Sequence, residues 1–375
     1  MRVLIVIDDL RKAGAQRAVV QEIRALHPRH VEFHVAALAC VAGSTFASDL
    51  ARQGVSVDYI PGSGLVDPRR VAALVGIIER TRPDLVHTHL TYANILGSLA
   101  SAVARRPVVA SLHNVDVNQV SSSRAKCRLE GFVLRHLASR IVVVAAGARA
   151  ETSRNFDVPV DRIAVVPNGI DPLSVALPAQ FDRAEKRRQL GIRPGEQVLC
   201  SVARLDESKG HRYLLGALAV LQARQTELRI RSLLVGGGPE LGRIRELGTT
   251  LGLGEQIALL GVRADVAEIV AASDVFVLPS LNEGLSQALL EAMALGTPVV
   301  ATNVGGTPDA VEPGRTGWCV PPAAPVALAD AIQHSLEEPL TAINYAHAAR
   351  AMVAERFPIA AHVSRLQTLY ECVTR

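Results

Sequence analysis

The stretch DVFVLPSLNEGLSQALLEAMALGTPVVATN, residues 274–303, reads as strand, helix and strand. DVFVLPS (274–280) is β-branched and aromatic up to its proline, and TPVVATN (297–303) repeats the pattern. Neither run alternates polar with apolar residues. Such strands are buried on both faces, which is the mark of a parallel sheet covered by helices. Between them, Leu285 to Leu295 are mostly strong helix formers, and Gly296 followed by Pro298 is a stop signal. The apolar positions go nearly all the way round, so the helix is expected to be buried rather than amphipathic. Two carboxylates, Glu283 and Glu291, bracket its uncharged run. A helix starting near Ser286 rises about 1.5 Å per residue and puts Glu291 some ~7–8 Å along it. That is the reach of an extended small molecule across a helix N-terminus. Buried carboxylates are costly without a partner or a ligand. Two readings stay open from these residues alone: a structural ion pair for Glu291 with a solvated Glu283, or two acids that hold one ligand.

The same alternation fills the chain. Six short strand-like runs lie between RVLIVID (2–8) and IAVVPNG (163–169), and six more between QVLCSVAR (197–204) and GWCVP (317–321), with helical patterns between them. Two such series predict an α/β fold of two doubly wound, parallel-sheet domains. The chain is also too long for one ordinary core. The boundary is expected in NGIDPLSVALPAQ (168–180), giving domains at 1–170 and 171–356. A closing amphipathic helix at 357–375, behind Pro358, is expected to return to the first domain. Ligands of such sheets bind beyond the carboxyl ends of the strands. If the two domains face each other, those ends converge on one cleft.

Bulk composition excludes several classes. Apolar residues make up 49% of the chain, which fits a globular protein and not a disordered one. The five cysteines lie far apart, against a disulfide framework or a zinc site and in favour of a reducing compartment. The opening MRVLIVIDDL reads as a strand without the features of a signal peptide, and no apolar run is long enough to span a membrane. A cytoplasmic protein is expected, with a peripheral place at the membrane left open. Residues 1–170 carry 21 Lys and Arg against 14 Asp and Glu, whereas residues 171–375 carry 19 against 22. The basic first half suits an anionic partner or surface, or is a charge dispersed over the surface.

Several polar residues fall at the expected strand ends. In SVARLDESKGHRYLL (201–215), Arg204 and Lys209 put two cations near a helix start, where they can hold a diphosphate. In KAGAQR (12–17), Gly14 opens a helix and lets a phosphate approach its free N–H groups. VGGGPE (235–240) lacks dinucleotide-fold spacing, and Gly237 at its middle is a donor-binding candidate. NVGGTPDAV (303–311) is a glycine loop able to present backbone N–H groups. His113 ends the strand in ASLHNVD (110–116), and His87 and His89 end another as acceptor-site or packing residues. Asp116 with Asn118 is the nearest approach to a metal pair and a poor one, so no metal and no cofactor are expected. The segment SSSRAKCRLEGFVLRHLASR (121–140) joins Arg124, Lys126, Arg128 and Arg135 to Leu129, Phe132, Val133 and Leu137. It is either an anionic-membrane dock or an ordinary packed helix with a basic face.

Taken together, GAQR, SLHN, VVPNGID, VARLDESKG, LVGGGPE, LLGVRADV, the 273–311 stretch and GRTGWCVPP resemble the retaining glycosyltransferases of family 4 over nearly the whole chain. That resemblance implies the GT-B architecture, two Rossmann-like domains facing across a cleft, and a nucleotide-sugar donor. It implies that Glu291 bonds the ribose, Glu283 the donor sugar, and that Arg204 and Lys209 neutralise the diphosphate. Gly284, Leu285 and Ser286 would offer backbone N–H groups, His113 would lie beside the sugar, and the loop of Val262 and Arg263 would read the base. The family often has two glycines at the early turn; here the first is Ala13. The acceptor, a sugar, a lipid-linked molecule or a small metabolite, is not legible, and no nucleic acid is expected. A nucleotide-sugar epimerase and a non-catalytic nucleotide-sugar-binding module are the rival readings.

Overall fold

Short strands with no polar face can only be buried between helix layers, and this chain builds two sheets of that kind. The structure, a computed structural model, describes residues 1–27, 31–41, 45–62, 64, 67–113, 124–225 and 227–375. These form two compact units: Met1–Gly169 with Ile359–Arg375, and Ile170–Pro358.

The first unit holds β1 (Arg2–Ile7), β2 (Glu32–Ala37), β3 (Ser56–Tyr59), β4 (Leu85–His89), β5 (Val108–Leu112), β6 (Arg140–Val143) and β7 (Ile163–Val165). They pair in the order β3-β2-β1-β4-β5-β6-β7, every pairing parallel. The order reverses direction at β1, between β2 and β4, which is the switch point where open α/β sheets bind ligands. Val3, Leu4, Ile5, Val6 and Ile7 are all buried, so β1 is the centre of the core. The closing helix Ile359–Thr374 packs against the first helix Gly14–Leu26, with Leu366 and Tyr370 in the same cluster as Ile5, Val19 and Ile23.

The second unit holds β8 (Gln197–Val202), β9 (Ile230–Val235), β10 (Ile257–Gly261), β11 (Val275–Leu278), β12 (Val299–Thr302) and β13 (Trp318–Val320). Their order is β10-β9-β8-β11-β12-β13, again parallel throughout. The decisive stretch is β11, the helix Gln287–Leu295 and β12. Ser286 caps that helix by accepting from the Leu289 N–H at 3.3 Å, and Gly296 ends it at φ 76°. All twelve expected strands are present. β3 is a thirteenth: it is an edge strand, SVDY, with no fully buried residue and so no apolar run to read.

Asp274, just before β11, shows how the second sheet is held. Its carboxylate accepts from the Val198 N–H at 2.6 Å, from Arg183 at 2.5 Å and from Arg187 at 3.0 and 3.1 Å. Burial alone would raise its pKa; the Arg187, Val198 and Arg183 hydrogen bonds outweigh that and lower it. A folded-state pKa below the unfolded value adds stability above about pH 4 that fades as pH falls further. Asp274→Asn is expected to destabilise the protein by about 1–3 kcal/mol at pH 7. The gap to the parent protein narrows toward pH 3, as urea denaturation across that range will register; a gap independent of pH would contradict the assignment.

Among the described residues no helix is long and apolar enough to cross a membrane. The helix Arg124–His136 buries Val133 and Leu134 and exposes Phe132. Val133 therefore lies in the core, as the packed-helix reading of this segment expects, because the helix face that carries it packs inward. Residues 121–123, Asp116 and Asn118 lie outside the described residues. The five cysteines are all free.

Candidate functional site

The carboxyl edge of the second sheet gathers most of the residues singled out by sequence. Arg204 and Lys209 follow β8, Gly237 follows β9, Val262 and Arg263 follow β10, and Glu283 to Ser286 follow β11. Close backbone packing sets these loops against one another. Gly210, at φ 64°, lies against the carbonyl of Pro279, where a Cβ would come within 2.0 Å of the oxygen. The Leu281 N–H donates to the Ser208 carbonyl at 2.7 Å. So the loop that carries Lys209 is laid on the loop that carries Glu283.

The outcome is a short ion pair. Lys209 Nζ donates to Glu283 Oε1 at 2.9 Å, and the Ser280 hydroxyl donates to the same oxygen at 2.7 Å. Glu283 is 7% exposed, which decides against the solvated-loop reading. Arg204 is looser: its Nε lies 3.7 Å from Asp206 Oδ2 and its side chain is half-exposed. Asp206 in turn caps the turn Glu207–Lys209 through the Ser208 N–H. The loop after β12 braces the site from the other side. The Gly306 N–H donates to the Gly284 carbonyl at 2.6 Å, and Gly305 packs directly on the Glu283 carbonyl.

Glu291 is buried on the helix that follows. It lines a small, mostly apolar pocket with Val175, Val202, Val266 and Val270. Val262 is exposed, whereas Arg263 is tied to Asp265 at 2.7 and 2.8 Å. That pair, with Lys186 on the same carboxylate, holds the Asp265 pKa well below its ordinary value. The glycines of VGGGPE serve packing: a Cβ at Gly236 or Gly238 would meet the Ala203 or Leu205 carbonyl within 2.2 Å, and one at Gly237 would touch Val262. They hold the Arg204 segment in place. Gly14 differs, since a Cβ there would meet no atom within 4 Å. Among the described residues nothing requires glycine at that helix start.

In the first unit, β4 and β5 bring His87, His89 and His113 together. His89 Nδ1 lies 3.1 Å from His113 Nε2, and the His87 and His89 ring centroids are 4.0 Å apart. Burial pushes the His113 pKa down to about 4. Sequence reasoning missed the partners: Glu22 from the first helix, and Tyr370 and His362 from the closing helix. Ligand-type atoms of Glu22, His87 and His89 lie within 4.8 Å of one another. The signal that could have pointed there is the H-x-H at the end of a buried strand. Tyr370 and Glu22, far off in the chain, left none.

Comparison with known proteins extends the geometry. Residues 13–172 match the family model described as Glycosyltransferase Family 4, and residues 182–352 match that described as Glycosyl transferases group 1. The chain is 32% identical to the D-inositol 3-phosphate glycosyltransferase of Corynebacterium efficiens, over 87% of this chain and 88% of that protein. It is 28% identical to the N-acetyl-alpha-D-glucosaminyl L-malate synthase of Bacillus anthracis, over 80% and 77%. Among solved structures it resembles Anabaena HepE in complex with UDP-glucose, with a TM-score of 0.88 and 25% identity over 99% of this chain and 100% of that one.

Proposed function

The chain is a glycosyltransferase that belongs to family 4 and has the GT-B fold, and from that premise we propose that it moves a sugar from a uridine diphosphate sugar to an acceptor hydroxyl with retention at the anomeric carbon. The observation that carries this reading is the buried Lys209–Glu283 pair at the carboxyl edge of a parallel sheet. A cation and a carboxylate kept there together suit a ligand with a phosphate at one end and hydroxyls at the other. The likeness to a protein that binds UDP-glucose supports the base.

In this reading Arg204 and Lys209 hold the diphosphate, and Glu283 orients the sugar hydroxyls. Glu291 accepts from the ribose, and the N–H groups of Gly284, Leu285 and Ser286 face the ligand from the helix start. Val262 and Arg263 read the base through their backbone, Gly14 admits phosphate at the first helix, and His113 bonds the sugar. The bond from the anomeric carbon to the phosphate oxygen breaks as the bond to the acceptor oxygen forms on the same face. The acceptor proton passes to the departing phosphate. Negative charge grows on that phosphate, and the two cations stabilise it where it develops, the task a metal performs elsewhere. No protein nucleophile is needed. Two relatives are named for anionic acceptors, a phosphate and malate, and the basic first half supports the same class here.

A thermal-shift panel of UDP, GDP, ADP and their common sugars, with and without magnesium, tests the donor. A ligand at about 100 times its dissociation constant adds roughly 2.7 kcal/mol. UDP and its sugars are expected to give a shift that is lost in Glu291→Ala. Silence from every nucleotide would overturn the reading in favour of a site that does not take nucleotides.

A further inference from the structure

In the first unit His87, His89, His113 and His362 form one connected cluster with Glu22 and Tyr370, and its hydrogen bonds fix where the protons sit. The Tyr370 hydroxyl donates to Glu22 Oε1 at 2.7 Å. Burial would raise the Glu22 pKa, but His362 and His87, at 3.9 and 3.6 Å, hold it well below the usual range, so the carboxylate is ionised and can only accept. Tyr370 has then spent its one proton. Its oxygen, 2.6 Å from His87 Nδ1, must accept, so His87 carries a proton on Nδ1. His87 Nε2 is engaged by the Ser111 hydroxyl at 2.7 Å. The His87 ring, held at both nitrogens, lies against His89 with centroids 4.0 Å apart and the ring planes tilted by 44°.

His89 then faces His113. Burial, reinforced by the nearby His87, keeps His89 neutral, and burial does the same for His113. Two neutral rings 3.1 Å apart share one proton between the facing nitrogens. The other nitrogen of His89, Nε2, is buried with no hydrogen-bond partner among the described residues. Were His113 the donor, that atom would carry an N–H with nowhere to go. Orphaned buried N–H groups are the rarer compromise. The alternative leaves only a lone pair there.

We infer that His89 is a positioning residue that donates from Nδ1 to His113 Nε2, fixing His113 as the tautomer with its proton on Nδ1. The closing helix is part of the device, because Tyr370 sets His87 and His87 sets His89. A hydrogen-bond donor at His113 Nδ1 suits a sugar hydroxyl; that consequence rests on the function proposed above, while the tautomer does not. The cluster is not built as a cation site, although its ligand-type atoms are close. His87 Nδ1, 3.6 Å from Glu22 Oε1, must stay protonated to serve Tyr370, and a metal requires it bare.

Selective ¹⁵N-histidine labelling of the full chain and a long-range ¹H–¹⁵N spectrum read the tautomers directly. His113 is expected to be protonated at Nδ1. In His89→Leu it becomes a mixture of tautomers and kcat falls about tenfold, the worth of one hydrogen bond. His89→Asn, whose amide nitrogen stands near the place of Nδ1, is expected to restore both. Protonation of His113 at Nε2 in the parent protein would overturn the inference, and that spectrum decides even if a variant does not fold. Displacement of the His87 signals by stoichiometric zinc would overturn it in favour of a metal site. A changed tautomer with unchanged turnover would uphold the positioning and remove His113 from the donor site instead.

Discussion

Lys209→Ala is expected to lower turnover about 10²- to 10³-fold, the typical worth of one fixed group aimed at charge that appears only in the transition state. The position allows little compensation. Lys209 is mostly buried and its ammonium is 2.9 Å from Glu283. Arg204 is half-exposed, with a 3.7 Å contact to Asp206, and in the proposed geometry it already serves the diphosphate, so it is not a spare cation for the Lys209 position. Removing the ammonium takes from the Glu283 carboxylate its one cationic partner among the described residues and leaves it the Ser280 hydroxyl. Part of the loss is therefore a mispositioned acid, and a double variant with Glu283→Gln measures that part through non-additivity. The loss should fall on kcat, with the acceptor KM little changed, because the acceptor touches neither residue in the proposed geometry. Steady-state kinetics on folded variant protein decides it: a turnover equal to the parent's would remove Lys209 from the mechanism.

The balance of what could be read from the sequence follows from how local each signal is. β11, the helix Gln287–Leu295 and β12 were legible because apolar runs, a serine cap and a glycine stop are written within thirty residues. The edge strand β3 was not, because a strand without a fully buried residue carries no apolar pattern. Arg204, Lys209 and Glu283 were legible as types in suggestive places. The pairing of Lys209 with Glu283 was not, since a sequence separation of 74 is closed by the contact of Gly210 with Pro279, which no local pattern records. The histidine cluster was the least legible. His87 meets Tyr370 across 283 residues, and only the return of the closing helix makes the two neighbours. Glu22 reads locally as one more charge on an amphipathic helix, and it is buried, at 2% exposure, among His87, His362 and Tyr370 from distant parts of the chain.

Gly305→Ala is expected to destabilise the second unit by about 3 kcal/mol or more and to take most of the activity with it. Two costs act together. The residue sits at φ 52°, where any side chain but glycine's costs about 1–2 kcal/mol. A Cβ there would also lie 1.6 Å from the Glu283 carbonyl oxygen and 2.7 Å from its carbon. Backbone, not a flexible side chain, would have to move. The segment that moves is the one that carries Glu283, and the adjacent Gly306 N–H would lose its 2.6 Å bond to the Gly284 carbonyl. So the substitution displaces the Lys209 partner and the start of the ligand-facing helix at one stroke. The control is Gly242→Ala, in the helix Leu241–Thr250, where a Cβ meets nothing within 4 Å. There alanine is expected to be neutral or stabilising by roughly 0.5–1 kcal/mol. Urea midpoints and activities of the two variants side by side test the argument. If Gly305→Ala matched the parent in both, the glycine loop would not be what fixes Glu283, and the bracing role assigned to β12 would fall.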